Sequence, residues 1–533
     1  MLYFGKGFHT LISRRINMKN HKYNTRFSPF PESYWLTQPV PSFPSFIENE
    51  ETEIGIIGGG IVGIMTAYLL AKAGKKVTLI EARELISGVT GHTTAKISAQ
   101  HGLIYDELIQ TFGEKSTRLY YEANTKGNEL IQEIVQHLKI ECNLETKDAV
   151  IFATSEKSVE EIEAEARAYE KLDISGRLAY GRVEDLPFPV EATLTMHDQA
   201  QFHPVRFLAP LLEEIEQLGG QIYEHSRAIQ ISEEDTVVIM ENDAQLTCDK
   251  IIVATHYPFN DFNGLYFTKL AISRSYALAA KVDGPIPQAM YLSAESPSRS
   301  LRSIQGIDGD EWLLIGGNDH ETGKSETPTQ THYNTLKAFG QTWFGLQEVP
   351  YHWSAQDMST LDKVPYIGKM TSSSPNILVA TGFNKWGMAI GAFSAQLLTD
   401  LIIEEPNPYA ELFDPTRSKL KVKDSQQFIK KNTSVAKDFV ATKSQQSSMT
   451  PDDLSFDEGG LVSINGEKAG GYRDSDGQLH LVKTTCTHLG CGLRWNDAER
   501  SWDCACHGSR FSYTGDVLEG PAVKPLEKLE EEE

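Results

Sequence analysis

The sequence predicts an α/β domain of Rossmann type followed by a small all-β domain. Three observations carry this reading. "EIGIIGGGIVG" joins a short apolar run to a glycine-rich turn and an apolar helix. Apolar strands running into loops recur at 250–258 ("KIIVATHYP") and 376–388 ("NILVATGFNKWGM"). From Leu454 onward, short strand-like runs alternate with Gly turns, as in "GGLVSING" and "KAGGYRDSDGQLHLV".

The elements follow in order. Residues 1–30 carry Lys6, Arg14, Arg15, Lys19, Lys22 and Arg26 and no acidic residue. That suits a loosely packed extension, with Met1 or Met18 as start; "INMKNHKYNTR" after the Arg pair lacks the apolar stretch of an export signal. Residues 31–50, with Pro31, Pro39, Pro41 and Pro44, read as an extended arm packed on a domain surface. A strand starts at Glu53. A helix follows over 61–74, with Ile61, Met65, Leu69 and Ala73 at helical spacing and Gly74 as its stop. "KVTLIE" is the next strand, which completes a βαβ unit. "PVRFLAPLLEEIEQLGG" is an amphipathic helix, and "GAFSAQLLTDLII" (391–403) a final apolar one. Residues 425–443 place Phe428, Val435 and Phe439 on one helical face, and 444–453 is a flexible boundary. The division is therefore an extension (1–50), a main domain (51–403), a partly helical linker (404–452) and the β domain (453–533).

The chain has 533 residues and a formal charge of −23, from 50 basic and 73 acidic side chains. Such acidity argues against nucleic acid or an anionic membrane surface as partner. No run reaches the ~18 apolar residues of a membrane span, so a cytoplasmic protein is expected. Six cysteines in this length are no secreted disulfide framework. Cys142 and Cys248 stand apart and read as buried small apolar groups.

Gly58, Gly60 and Gly63 form a G-x-G-x-x-G between strand and helix, and Glu81 ends the next strand. Gly58 permits the tight turn, Gly60 lets backbone approach a pyrophosphate, and Gly63 allows helix to pack on strand. The helix N-terminus favours phosphate. Glu81 suits ribose hydroxyls and disfavours a 2′-phosphate, hence NADP. A single fingerprint at the start of the domain points to one dinucleotide. Together with "GVTGHTTAK" (88–96), "IIVATHYP" and the closing "NILVATGFNKWGM", the stretch resembles the D-amino-acid-oxidase-like family of FAD-dependent oxidoreductases, which includes glycine and sarcosine oxidases. The resemblance implies FAD and a substrate domain of mixed sheet inserted in the Rossmann-like domain. It places Thr90, His92, Thr93, Thr94 and Ala95 near the pyrophosphate and ribityl chain, and Ala254 and Thr255 near the adenine side. Gly382, Phe383, Lys385, Trp386, Gly387 and Met388 would edge the isoalloxazine, with the helix from Gly391 aimed at it. The family often has Gly after "AT", where this chain has His256.

These flavoenzymes mostly oxidise a C–N bond next to a carboxylate, with the cofactor carrying the chemistry. Arg274 and Arg302 are candidates to bind that carboxylate. His101, Tyr105 and His320 are candidate cavity residues, and Lys385 could stabilise reduced flavin. The catalytic candidates are therefore Lys385, Arg274 and His101.

Between Cys486 and His507 the sequence reads Cys-x-His-x-x-Cys and Cys-x-Cys-His. Six possible ligands in this pattern fit a four-ligand zinc site poorly. The stretch resembles a Rieske [2Fe–2S] domain of the type found in respiratory and photosynthetic cytochrome complexes, with two His in place of two Cys on one iron. By that resemblance Cys486 and Cys504 hold one iron, His488 and His507 the other, and Cys491 and Cys506 form a disulfide between the cluster loops. "EGPA" (519–522) matches the loop that covers the cluster. Ala505 stands where the family has Pro, and Phe511 where high-potential members have Tyr; Ser509 is kept. Missing the Tyr hydroxyl bond lowers the expected potential, within the Rieske span of about −150 to +300 mV. In a reducing cytosol the disulfide is either shielded or opens and tunes the cluster.

Flavin accepts two electrons and a [2Fe–2S] cluster carries one at a time. The order substrate, FAD, cluster, external acceptor follows, which is a dehydrogenase more than an oxidase. The expected substrate is a small amine or amino-acid-like molecule; the acceptor is a protein or quinone. The alternatives are an electron-transfer protein or a redox sensor with no small organic substrate.

Overall fold

The computed structural model describes residues 27–530 apart from 29, 260–263, 326, 418–431, 434, 436, 440 and 443–448. The basic extension, Met18 and Phe428 lie outside the described residues.

The strand Glu50–Ile57 lies between Val77–Ile80 and Gln245–Val253, parallel to both. Ile377–Thr381 and Gln221–Tyr223 extend the parallel sheet on its two sides. The C-terminal halves of its central strands are covered on both faces, by helices Ile61–Lys72 and Ala389–Ile403 on one and by Phe46, the hairpin 228–240 and Tyr266 on the other, and every residue of Val77–Ile80 and Ile377–Thr381 is buried. Helix Ile61–Lys72 is buried at ten of its twelve positions, as expected of a core helix. Gly74, with φ +80°, follows its end. The last apolar helix starts at Ala389, two residues before the expected Gly391, and runs to Ile403. Helix Glu114–Leu138 crosses its start so closely that a Cβ on Gly127 would stand 1.9 Å from the Ala389 carbonyl oxygen.

The inserted domain is a nine-stranded mixed sheet. Leu346–Thr360, Leu270–Val282, Glu311–Glu321 and Arg299–Gln305 run antiparallel in that order; Met290–Ser293 then pairs parallel with Glu145–Ala153. The short strand Lys96–Ile97 closes the far edge. The arm reaches beneath this framework: Tyr34 and Trp35 are buried in the main core.

The β domain is two four-stranded antiparallel sheets. Val435 and Phe439 of the linker pack against its core, and Asp438 pairs with Lys324 of the inserted domain at 3.0 Å. No helix among the described residues is long and apolar enough to cross a membrane.

Candidate functional site

The G-x-G-x-x-G turn sits where sequence analysis puts it, between strand and helix, and each glycine answers to a contact. Gly58 has φ +113°, and a Cβ there would lie 2.5 Å from the Ala254 carbonyl oxygen. At Gly63 a Cβ would meet the Gly58 carbonyl oxygen at 1.8 Å. Gly60 is the helix N-cap and offers no capping side chain, so the positive helix end faces the cleft. The Glu81 carboxylate accepts from the backbone of Gly59 (2.7 Å) and Arg83 (2.9 Å), which fixes it beside the turn. Thr90 Oγ1 accepts from Ile61 N at 3.0 Å. The cleft runs on past Arg227, Ala254 and Thr255 to Phe383, Lys385, Gly387 and Met388. An anion-favouring turn, a ribose-ready carboxylate and a long walled cleft fit FAD.

The loop 88–96 is pinned from outside by its carbonyls. Trp35 Nε1 donates to Thr93 O (2.6 Å), Trp353 Nε1 to His92 O (2.9 Å), and Arg302 to Thr94 O (3.0 Å) and Ala95 O. Beyond the loop lies a second cavity of about 490 Å³. His92, Thr93, Thr94, His101, Trp386 and Met388 line it, with Lys385 and Met388 shared between cleft and cavity. Lys385 Nζ pairs with Asp319 at 2.9 Å. His101 stacks on Trp386 at 4.8 Å. Lys96, also in the wall, is 7% exposed and donates to Tyr291 O at 2.7 Å. Burial, then the Arg302 charge, lowers its ammonium to about 7.

In the β domain two turns bring the donors together. Cys486 N donates to Cys491 O (2.8 Å) in one, and Cys504 N to Ser509 O (2.9 Å) in the other. The Cys486 and Cys504 thiols are buried, and the His488 and His507 rings lie 5.1 Å apart and perpendicular. Cys491 and Cys506 form a disulfide, S–S 2.22 Å. Two soft thiols and two imidazoles on facing loops fit a Rieske [2Fe–2S] cluster. Ser509 Oγ accepts from Ala522 N at 3.1 Å, joining the covering loop to the cluster loop.

The two sites share a boundary. Leu518, Glu519, Gly520, Ala522 and Val523 line the dinucleotide cleft. Phe267 of the main domain lies edge-on to His488 (6.0 Å) and His507 (5.4 Å). Gln356, fully buried, donates to Gly508 O at 2.9 Å and lines the cleft itself.

Several expected residues stand elsewhere. Arg274 does not face the cavity. Along its strand Ala271, Ser273, Ser275 and Ala277 do, and Arg274 points across the sheet to Glu519 of the β domain (2.8 Å) and to Ser354. Arg302 is spent on the loop carbonyls. His101 lines the cavity, but its Nδ1 meets Tyr120 OH (2.7 Å) and its Nε2 Ser98 O (2.8 Å); burial lowers its pKa to about 3, so it is a neutral wall rather than an acid or base. Tyr105 is buried with its OH on Ala99 O, and His320 is held by Tyr276 OH and Glu321 O. Gly382 packs on Thr360, 2.5 Å from a would-be Cβ, and Ala95 is fully buried, so neither forms a wall. His256 lines the cleft and stacks on Phe383. Cys142 and Cys248 are buried free thiols. Sequence reasoning missed Lys96, Arg227, Gln356 and the second role of residues 518–523; no local pattern marks them.

Residues 53–401 match the family model described as FAD dependent oxidoreductase, and residues 446–530 match that of the Rieske [2Fe-2S] domain. Fold and sites thus define an oxidoreductase with FAD and a Rieske [2Fe–2S] cluster. YhfW of Bacillus subtilis, described as a Rieske 2Fe-2S iron-sulfur protein, is 45% identical over 504 residues, 94% of this chain and 98% of its own. Gamma-glutamylputrescine oxidoreductase of Escherichia coli is 21% identical over 383 residues, 70% of this chain and 87% of its own. Glycine oxidase from Geobacillus kaustophilus shares the fold, with a TM-score of 0.59 at 16% identity over 69% of this chain and 99% of that one. The chain belongs to the DAO family of FAD-dependent oxidoreductases.

Proposed function

We propose that the chain is a dehydrogenase that oxidises a small amine or amino-acid-like substrate in the 490 Å³ cavity and delivers electrons singly to an external protein or quinone. When bound, FAD supplies hydride acceptance and the [2Fe–2S] cluster one-electron transfer. The carrying observation is the shared boundary: residues 518–523 of the Rieske domain wall the same cleft as the glycine turn. That adjacency supports an internal electron route over a route through solution. The cavity, joined to the cleft through Lys385 and Met388, supports a small substrate over a purely electron-carrying role. Relatives named for glycine and gamma-glutamylputrescine support attack at a C–N bond.

Within the cavity, Lys96 replaces Arg274 as the cation to meet a substrate carboxylate, and Ser273, Ser275 and Ser300 offer hydroxyls to a polar tail. The His101–Trp386 stack is a rigid wall that excludes water. Lys385, held by Asp319, stands where cleft and cavity meet. The test is an anaerobic screen of amines and amino acids that follows flavin and cluster absorbance together. Sequential loss of both signals with one substrate class is expected. Reduction by a protein donor alone, with no response to any small molecule, defeats the proposal.

A further inference from the structure

The boundary between the domains is a buried charge cluster. Arg274 of the inserted domain and Arg510 of the Rieske domain both reach Glu519 Oε2, at 2.8 and 3.2 Å. Both also stand 3.9 Å from Glu499 Oε2, and Arg510 pairs with Asp503 at 3.0 Å. Around this cluster Tyr333 OH donates to Glu499 (2.7 Å) and Thr329 to Asn496 and Asp497 (2.6 and 2.7 Å). Glu519 is at once the anchor of this cluster and part of the cleft wall. Arg227, from the opposite wall, donates to Val517 O at 3.1 Å.

We propose that the flavin site is a two-domain site: Arg274 is a positioning residue that, with Arg510, clamps Glu519 so that residues 517–523 of the Rieske domain close the cleft over FAD. Cofactor retention and Rieske docking are then one equilibrium. Arg274 is the only cation in the cluster contributed by the main domain, among the described residues that pair with Glu519. Without it the three carboxylates Glu499, Asp503 and Glu519 keep Arg510 as their direct ion-pair partner among the described residues, with the more distant charge of Arg83 acting on Glu519. Breaking a buried pair from one side leaves an uncompensated charge and is strongly unfavourable. Moving Glu519 toward water relieves that charge, and the cleft wall moves with it. The inference rests on the two cofactor assignments and not on the choice of substrate.

The test is the rate of FAD release from the holoenzyme, read by recovery of flavin fluorescence on dilution, with no substrate present. Arg274→Ala is expected to release FAD on the order of tenfold faster, equivalent to about 1.4 kcal/mol, while the cluster's EPR signal persists. Arg274→Lys keeps a charge without the two-pronged fork and is expected between the two. Wild-type release from Arg274→Ala overturns the proposal. Should that variant not accumulate, hydrogen exchange on the wild-type chain decides. FAD-loaded protein is expected to protect peptides over 517–523 relative to FAD-stripped protein, and equal exchange there overturns it. A failed substrate screen leaves each of these outcomes readable.

Discussion

Alanine at Gly63 and alanine at Gly60 separate folding from cofactor binding. The Gly63 Cβ would lie 1.8 Å from the Gly58 carbonyl oxygen and 3.4 Å from Leu79 Cδ1. The first contact is backbone, at the joint of strand and helix, so no side chain can swing away. Helix Ile61–Lys72 would have to lift off the sheet by more than an ångström across a close-packed core. Overpacking typically costs about 1–3 kcal/mol, and a backbone clash belongs at or above the top of that range. At Gly60 the backbone is extended (φ −89°), and the nearest atom to a Cβ is Thr90 Oγ1 at 3.1 Å. Alanine there costs the fold no more than about 1 kcal/mol as an N-cap change. The new methyl, however, stands between Gly60 and Thr90, both of which line the cleft. The assay is urea unfolding of flavin-free protein beside FAD titration. Gly63→Ala is expected to lose stability, and Gly60→Ala to keep it while losing on the order of tenfold in FAD affinity, about 1.4 kcal/mol. Wild-type FAD affinity in Gly60→Ala, or wild-type stability in Gly63→Ala, refutes the reasoning.

Lys96 is poised near pH 7, so a carboxylate substrate should bind well below that pH, where the amine is charged, and progressively worse above it. Lys96→Met should raise KM for carboxylate substrates far more than it lowers kcat, and flatten the pH profile of KM; an unchanged profile removes Lys96 from substrate binding. Phe511, fully buried in the cluster domain, should become a hydrogen-bond donor as Phe511→Tyr. A bond worth about 1 kcal/mol more in the reduced state raises a one-electron potential by about 40 mV, and an EPR-monitored titration with no rise contradicts this. Opening the Cys491–Cys506 disulfide, which spans a sequence separation of 15, should cost the Rieske domain about 3 kcal/mol in the chain-entropy account. Urea midpoints followed at the cluster absorbance, with and without reductant, should differ; coincident midpoints argue that the loops do not need the link.

The nucleotide turn and the cluster loops were legible because each is local in sequence. Gly58, Gly60, Gly63 and Glu81 fall in one βαβ unit, where spacing along the chain fixes spacing in space. The cluster donors fall in two short turns, and their alternation of Cys and His is rarely met in any other setting. The cavity is different. Lys96, His101, Ser273, Trp353 and Lys385 come from separate elements, and only the nine-stranded sheet brings them together. Gly382, placed at the isoalloxazine by resemblance alone, is held to glycine by Thr360, whose Cγ2 would lie 2.5 Å from a Cβ there, a contact between segments that no local pattern reveals.

Arg274 shows where local reading stops. An arginine on a strand near a cavity can serve the cavity or the far side of the sheet, and one residue of register decides which. In Leu270–Val282, Ser273 and Ser275 line the cavity, while Ile272 packs on Gly508 and Arg274 pairs with Glu519. One strand therefore borders the cavity through Ser273 and Ser275 and meets the Rieske domain through Arg274 and Ile272, the latter bordering the cavity as well. The fused domain is consequently no bead on a flexible tether. Gly508 itself has φ +76° and leaves only 2.7 Å between a would-be Cβ and Ile272 Cγ2, so backbone meets side chain directly at the cluster loop. A displacement of this strand by substrate would be felt at both ends of the electron route, which makes cluster EPR line shape in the presence of a non-reacting carboxylate a direct reading of the coupling. A line shape indifferent to ligand would show that the strand holds the two sites together without transmitting between them.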